Sequence, residues 1–380
     1  MRIVPLLLGL TVASSPSLAA QQAPRTLTLA DPTGRIAQPF GMVNGVRELS
    51  DGSLLIADPT DAVLRRVDPA MHVVTILGRQ GSGPGEYVQP DHTWPLPNDS
   101  TLLVDLGNNR LVRLGQAGGF GAVQPILAEG AGGRPSILNI GGTDREGALF
   151  SAGAPEGDSI TITRIPPGGG RATVVAKLRG PEVNTTSSGG PGNRNERSAP
   201  VPLSPQDGWA VTVSGLVYLV RASDYHVDVI TPMGDVHHGD RVVYAPIRIT
   251  DAEREAYLEE RRRQGGVSAT VQNTNGEMTF ALKRGPVPAD AFANVTWPEV
   301  KPAFSSGDIW VDSIDRLWVR RHTAAGSAFT YDIFLPNGNR TATIQLGASR
   351  RIVGMGEHTV YLARNDDDDL LYLERYALPI

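Results

Sequence analysis

The sequence predicts an all-β chain: a six-bladed β-propeller with one short helical insertion, its ring closed by pairing of the N-terminal strand with the C-terminal blade. Three observations carry this. A unit of turn, apolar strand, polar turn and second strand recurs about six times. Glycine and proline are abundant, 43 and 29 residues, at ordinary hydrophobicity, as many short strands joined by tight turns require. The two ends carry strands that can complete one another.

The chain begins with a segment of another kind. Arg2 provides a positive start, Ile3 to Val12 an apolar run, and Ser17-Leu18-Ala19 the small residues read by a signal peptidase. Residues 1–19 are therefore expected to be a signal peptide, and 20–380 the propeller. The apolar run is short for a bilayer and no later run approaches that length, so the expectation is an exported protein, periplasmic or secreted, without membrane insertion. With 0 cysteines there are no disulfides and no lipid-modified N-terminal cysteine, and burial must hold the fold together. A formal charge of −5 argues against nucleic acid and anionic membranes as partners. A monomer is expected.

The repeat reads Asp51-Gly52-Ser53-Leu54-Leu55-Ile56-Ala57-Asp58 followed by Ala62-Val63-Leu64-Arg65-Arg66-Val67. It returns as Asn98-Asp99-Ser100-Thr101-Leu102-Leu103-Val104-Asp105 followed by Arg110-Leu111-Val112-Arg113-Leu114. Weaker copies start near Glu146, Asp207, Asp315 and Glu357, and the first three are spaced by about 47 residues, a blade-like period. Apolar and polar residues largely alternate within the units, as half-buried strands require, and Asp-Gly supplies a tight turn. Asp58 and Asp105 recur at equivalent places, which points to a structural turn contact, since one catalytic site needs no copies. Thr26 to Ala30 reads as an outer strand that completes the blade begun by the C-terminal hairpin, His358 to Ala363 and Leu370 to Ala377.

The crossover Gly78-Arg79-Gln80-Gly81-Ser82-Gly83-Pro84-Gly85-Glu86-Tyr87, with Ala57-Asp58 and Leu106-Gly107-Asn108-Asn109-Arg110-Leu111, resembles the NHL-repeat six-bladed propellers over about residues 40 to 115. These motifs specify a fold and not an activity. Related propellers include calcium-dependent lactonases and esterases, and lyases. That relationship would imply a channel metal held by carboxylate, Asn or His side chains from several blades. Asn44 and Asp91 lie near first-strand positions, but the other blades offer no matching set.

Two stretches break the period. Residues 181–200, rich in Gly, Ser, Pro and Asn, read as a flexible loop. Residues 245–300 read as an insertion containing a helix, with Thr250-Asp251-Ala252-Glu253 as a capping box and Gly265-Gly266 as its end. Both fall in crossovers between blades, on one face of a propeller, and that loop-bearing face is expected to be the working one.

Recognisable catalytic sets are missing: there is no G-x-S-x-G elbow, P-loop or H-E-x-x-H. The seven histidines show no metal spacing; His237 and His238 are adjacent and read as a turn. Asp366 to Asp369 reads as a solvated hairpin tip, and Trp310 and Trp318 as packing between blades. His92 and Trp94, entering the inner strand of blade two, and Tyr244 and Arg248 on the large insertion are the candidate ligand-binding residues. The expectation is a binding propeller for a protein or small molecule, with no catalytic residues, metal or cofactor assigned. The alternative is a calcium-type hydrolase or lyase acting in the channel.

Overall fold

The computed structural model describes residues 24–129, 135–188, 195–274, 277–288, 291–292 and 295–379. Residues 1–19, expected to be a signal peptide, lie outside the described residues. Six antiparallel sheets follow one another along the chain. The inner strands are Val46–Glu48, Pro90–Leu96, Asn139–Thr143, Gly208–Val211, Phe304–Val311 and Arg350–Met355, and each touches the next in ring order, the last meeting the first. The result is a six-bladed β-propeller, as the repeat predicts, with one α-helix among the described residues. Apolar clusters fill the space between neighbouring blades: Leu55, Leu64, Leu103 and Leu114 join blades one and two, while Trp318, Ile333, Ile352 and Leu362 join blades five and six.

Asp58 and Asp105 explain why the first two repeats are so legible. Each is fully buried at the end of a second strand. Asp58 accepts from the amides of Gly41 and Met42 at 2.9 and 3.1 Å and from Arg65 Nη1 at 2.6 Å. Asp105 accepts from the amides of Val88 and Gln89, both at 3.0 Å, and from Arg110 Nε at 3.1 Å. In both blades a carboxylate thus ties the incoming crossover to an arginine on the third strand. The crossover amides have no strand partner, so the carboxylate satisfies donors that would otherwise be buried unpaired.

The ring closes from both ends, one step later in sequence than expected. Gly34–Arg35 pairs antiparallel with Leu371–Ala377 and supplies the fourth strand of blade six. Arg25–Leu27, which overlaps the stretch Thr26 to Ala30 expected to do this, instead lies parallel to Arg340–Gln345 on blade five. The reason is burial: Leu27 and Leu29 pack on the core shared by blades five and six, and a bend at residues 31–33 then carries the chain across.

The crossovers carry their own structure. Within 181–200, read as a loop from composition, Val183–Ser188 pairs with Asn195–Pro200. The large insertion holds α1, Asp251–Gln264, and a hairpin of Gly266–Thr274 with Glu277–Gly285. Thr250 precedes α1 in extended conformation, but its side chain makes no capping bond. The capping box does not form because Glu253 is drawn away, accepting from the Ala325 amide at 2.9 Å and pairing with Lys301. His237 and His238 lie on a strand, Val236–His238, and not in a turn, because Thr231–Asp235 makes the turn before them. Asp366 to Asp369 does form a hairpin tip, between Thr359–Asn365 and Leu371–Ala377.

Removing one partner of a buried, hydrogen-bonded ion pair costs about 3–5 kcal/mol. Asp58→Ala and Asp105→Ala are therefore each expected to lose stability on that scale in denaturant melts. Asp367→Ala, at the hairpin tip, is expected to change it by less than about 0.5 kcal/mol. Equal stabilities for the three variants would contradict the role given to the paired aspartates.

Candidate functional site

On the face bearing the crossovers, the insertion lies over part of the mouth of the central channel and borders a partly open chamber of about 1300 Å³. The insertion leaves blade four and returns into blade five, yet it is fastened to distant blades. Gln89 in blade two exchanges hydrogen bonds with the Arg284 backbone, at 2.9 Å to the carbonyl and 2.8 Å from the amide. Asn109 does the same for the hairpin, donating to the Phe280 carbonyl at 2.6 Å and accepting from the Leu282 amide at 3.3 Å. Arg284 pairs with Asp91 through both carboxylate oxygens, the Nη2 contact being 3.1 Å. From α1, Arg263 reaches Asp369 at the tip of blade six at 3.2 Å, and Glu260 accepts from Arg320 of blade five at 2.5 Å.

The chamber's walls mix aromatic rings with charge. Phe40, Tyr257, Phe292, Trp310 and Phe329 all border it. Tyr257 stands edge-on to Phe292 and Trp297, with centroids 5.7 and 5.6 Å apart, which seats α1 on the rest of the insertion. Arg320 is a buried hub: it pairs with Glu260, lies 3.3 Å from Asp308 and stacks on Phe329 at 4.4 Å. Burial would lower its pKa, but Asp308 and Glu260 prevail and raise it, so it stays charged. Burial likewise works to raise the Glu260 carboxyl, and Arg320, His322 and Arg351 pull it below the usual range.

Two cations bordering the chamber are treated differently. Arg351 donates to the Val43 carbonyl at 2.8 Å, and among the described residues neither it nor Arg261 has an ion-pair partner. The buried Arg261 Nε has no hydrogen-bond acceptor among the described residues. Burial depresses the Arg351 pKa despite Asp308, Tyr331 and Glu260 nearby, so an anion would relieve it.

His92 borders the chamber, with its ring 4.3 Å from that of Trp94 on the same strand. Gly45 makes room for it, since a Cβ there would lie 2.4 Å from His92 Cε1. Trp94 packs below, in the cluster of Leu102 and Leu149. Tyr244 packs against Tyr225 in the blade-four core, and Arg248 sits exposed in a bridge to Val300; neither borders the chamber. Sequence reading missed Arg261, Arg320 and Arg351, because nothing in their local sequence shows that three elements converge. It also missed His226, Asp228 and His238, non-adjacent residues that the blade-four strands bring together.

No protein-family model and no curated protein matches the chain. Solved structures do. A member of the duf4221 family from Bacteroides vulgatus superposes with a TM-score of 0.50 at 7% identity, covering 91% of this chain and 96% of its own. A gluconolactonase from Xanthomonas campestris gives a TM-score of 0.42 at 11% identity, covering 91% and 95%. The calcium-binding protein regucalcin from Agrobacterium tumefaciens gives 0.43 at 12%, covering 94% and 97%. The first supports the fold class, a propeller, and none of these similarities defines an activity.

The chamber also sets an acid dependence. Burial, as the largest cause, pushes both His92 and His322 from 6.5 down to about 4. The unfolded chain takes up these protons near pH 6.5 while the folded chain resists until about 4, so their contribution is complete above 6.5 and is lost as pH falls toward 4. Denaturant midpoints are expected to fall between pH 7 and 4.5, and to fall less in His92→Asn and His322→Gln. A slope unchanged in both variants would contradict the burial of neutral imidazoles.

Proposed function

We propose that the chain is an exported binding propeller whose roofed chamber takes an organic anion with an aromatic or alkyl body. One observation carries this reading. Among the described residues, every carboxylate bordering the chamber, Glu259, Glu260, Asp308 and Asp369, is matched by an arginine, whereas Arg261 and Arg351 border it without a carboxylate partner. Two cations left over among aromatic walls suit a carboxylate or sulfonate on an apolar frame, the guanidinium giving paired hydrogen bonds and the rings giving area. His92 with Trp94 behind it would line the blade-two side. Export follows from the reading of residues 1–19, the small-molecule partner from the chamber, and the NHL-like character from the crossover motifs of blades one and two.

The rival reading, a calcium-dependent hydrolase or lyase, draws less support from the side chains. Asn44 Nδ2 lies 3.2 Å from Asp91 Oδ1, so the pair singled out in the sequence does meet. Both Asp91 oxygens already accept from Arg284, however, and the guanidinium takes the place where a cation would be held.

A thermal-shift screen of aromatic and aliphatic carboxylates against neutral amides of the same frames tests the proposal. Carboxylates are expected to raise the melting temperature and amides not to. Arg351→Gln and Arg261→Gln are each expected to weaken the best carboxylate about tenfold or more, or about 1.4 kcal/mol. Equal binding of acid and amide, or affinity unchanged in both variants, would contradict the reading. Calcium is expected to leave the melting temperature unchanged.

A further inference from the structure

On the outer part of blade four, away from the chamber, His226 and Asp228 lie two residues apart on the third strand, His226–Ile230, and so share a face. Asp228 is the cross-strand partner of His238 on Val236–His238. The ladder therefore brings two imidazoles and a carboxylate together: His226 Nε2 is 3.1 Å and His238 Nδ1 2.6 Å from Asp228 Oδ1, and one donor atom from each residue lies within 4.8 Å of the others. His237, between them in sequence terms only, pairs with Val229 and faces the other way.

The surroundings are built around this group. Arg221 Nε holds the second oxygen of Asp228 at 2.7 Å and is itself fixed by Asp207 at 2.9 Å, so the carboxylate is oriented with Oδ1 turned to the imidazoles. Asp224 Oδ1 lies 2.6 Å from His226 Nδ1. Both nitrogens of His226 thus face carboxylates. Asp224 fixes the ring so that Nε2 is turned toward Asp228 and His238. A carboxylate on the far nitrogen of a histidine is also the usual support of a metal ligand, fixing tautomer and ring orientation.

We infer that His226, Asp228 and His238 form a binding site for a borderline divalent transition metal of the zinc class. Two nitrogens and one oxygen suit zinc, cobalt or nickel better than calcium or magnesium, which prefer all-oxygen sets. Ligand bonds of about 2.0–2.2 Å need only small side-chain rotations from the present positions. The His238 side chain is 71% exposed and that of Asp228 only 7%, so the site is anchored below and open above, with room for water in the remaining positions. The metal would staple the outer strand Val236–His238, whose side chains are all exposed, to the third strand and so protect an open sheet edge.

Calorimetric titration of tag-free, metal-stripped protein with zinc chloride tests this, with native mass spectrometry for stoichiometry. One zinc per chain is expected, with a raised melting temperature. His226→Ala and His238→Ala are expected to weaken it at least a hundredfold, Asp224→Asn about tenfold or more, and His237→Ala not at all. No stoichiometric zinc in the parent protein would overturn the proposal. Zinc affinity as high in the His226 and His238 variants as in the parent would also overturn it, by placing the ion elsewhere.

Discussion

Arg284 ends the insertion's hairpin opposite the blade into which the insertion returns, and there its guanidinium grips both oxygens of Asp91. The flanking Gln89 and Asn109 bond to the hairpin backbone and fix its register on blade two. A segment that leaves blade four and rejoins blade five is thereby stretched across the channel mouth. That anchorage holds the hairpin end of the insertion over blade two, while the ion pairs of α1 with blades five and six hold the other end. The chamber and its charge follow from this crossing.

The roof explains the arrangement of charge. Glu260 on α1 comes down onto Arg320, which rises from blade five and also faces Asp308. Burying these groups is costly unless each is paired, and the pairs are made between roof and ring, so electrostatics locks the two together. Arg261, one residue from Glu260, and Arg351 on the inner strand of blade six are left without carboxylates among the described residues. Burying a cation unpaired costs stability, and these two arginines are the basis on which ligand binding is proposed for this side of the chamber.

Much of the ring was legible in the sequence because its signals are local. Asp58 and Asp105 recur with their arginines seven and five residues on, and the apolar strands between turns repeat with a blade-like period. Closure was legible in kind but not in register: both Thr26 to Ala30 and Gly34–Arg35 can pair, and the choice depended on which apolar side chains find a core. The capping box failed for a related reason, since Glu253 met Lys301, a partner distant in sequence. The site was harder still. His92 could be placed from its strand, but the path of the insertion set Tyr244 and Arg248 away from the chamber and brought Arg261 to it. His226, Asp228 and His238 carry a readable signal, an i, i+2 pair and a cross-strand partner, once the turn at Thr231–Asp235 fixes the hairpin register.

The central claim, that a roof pinned across the ring makes the binding chamber, is tested most directly by replacing residues 250–300 with a short Gly-Ser linker and measuring carboxylate binding alongside thermal unfolding. The account predicts a variant that still unfolds cooperatively as a propeller but has lost carboxylate binding. A cooperatively folded variant that binds the same carboxylates with unchanged affinity would contradict it.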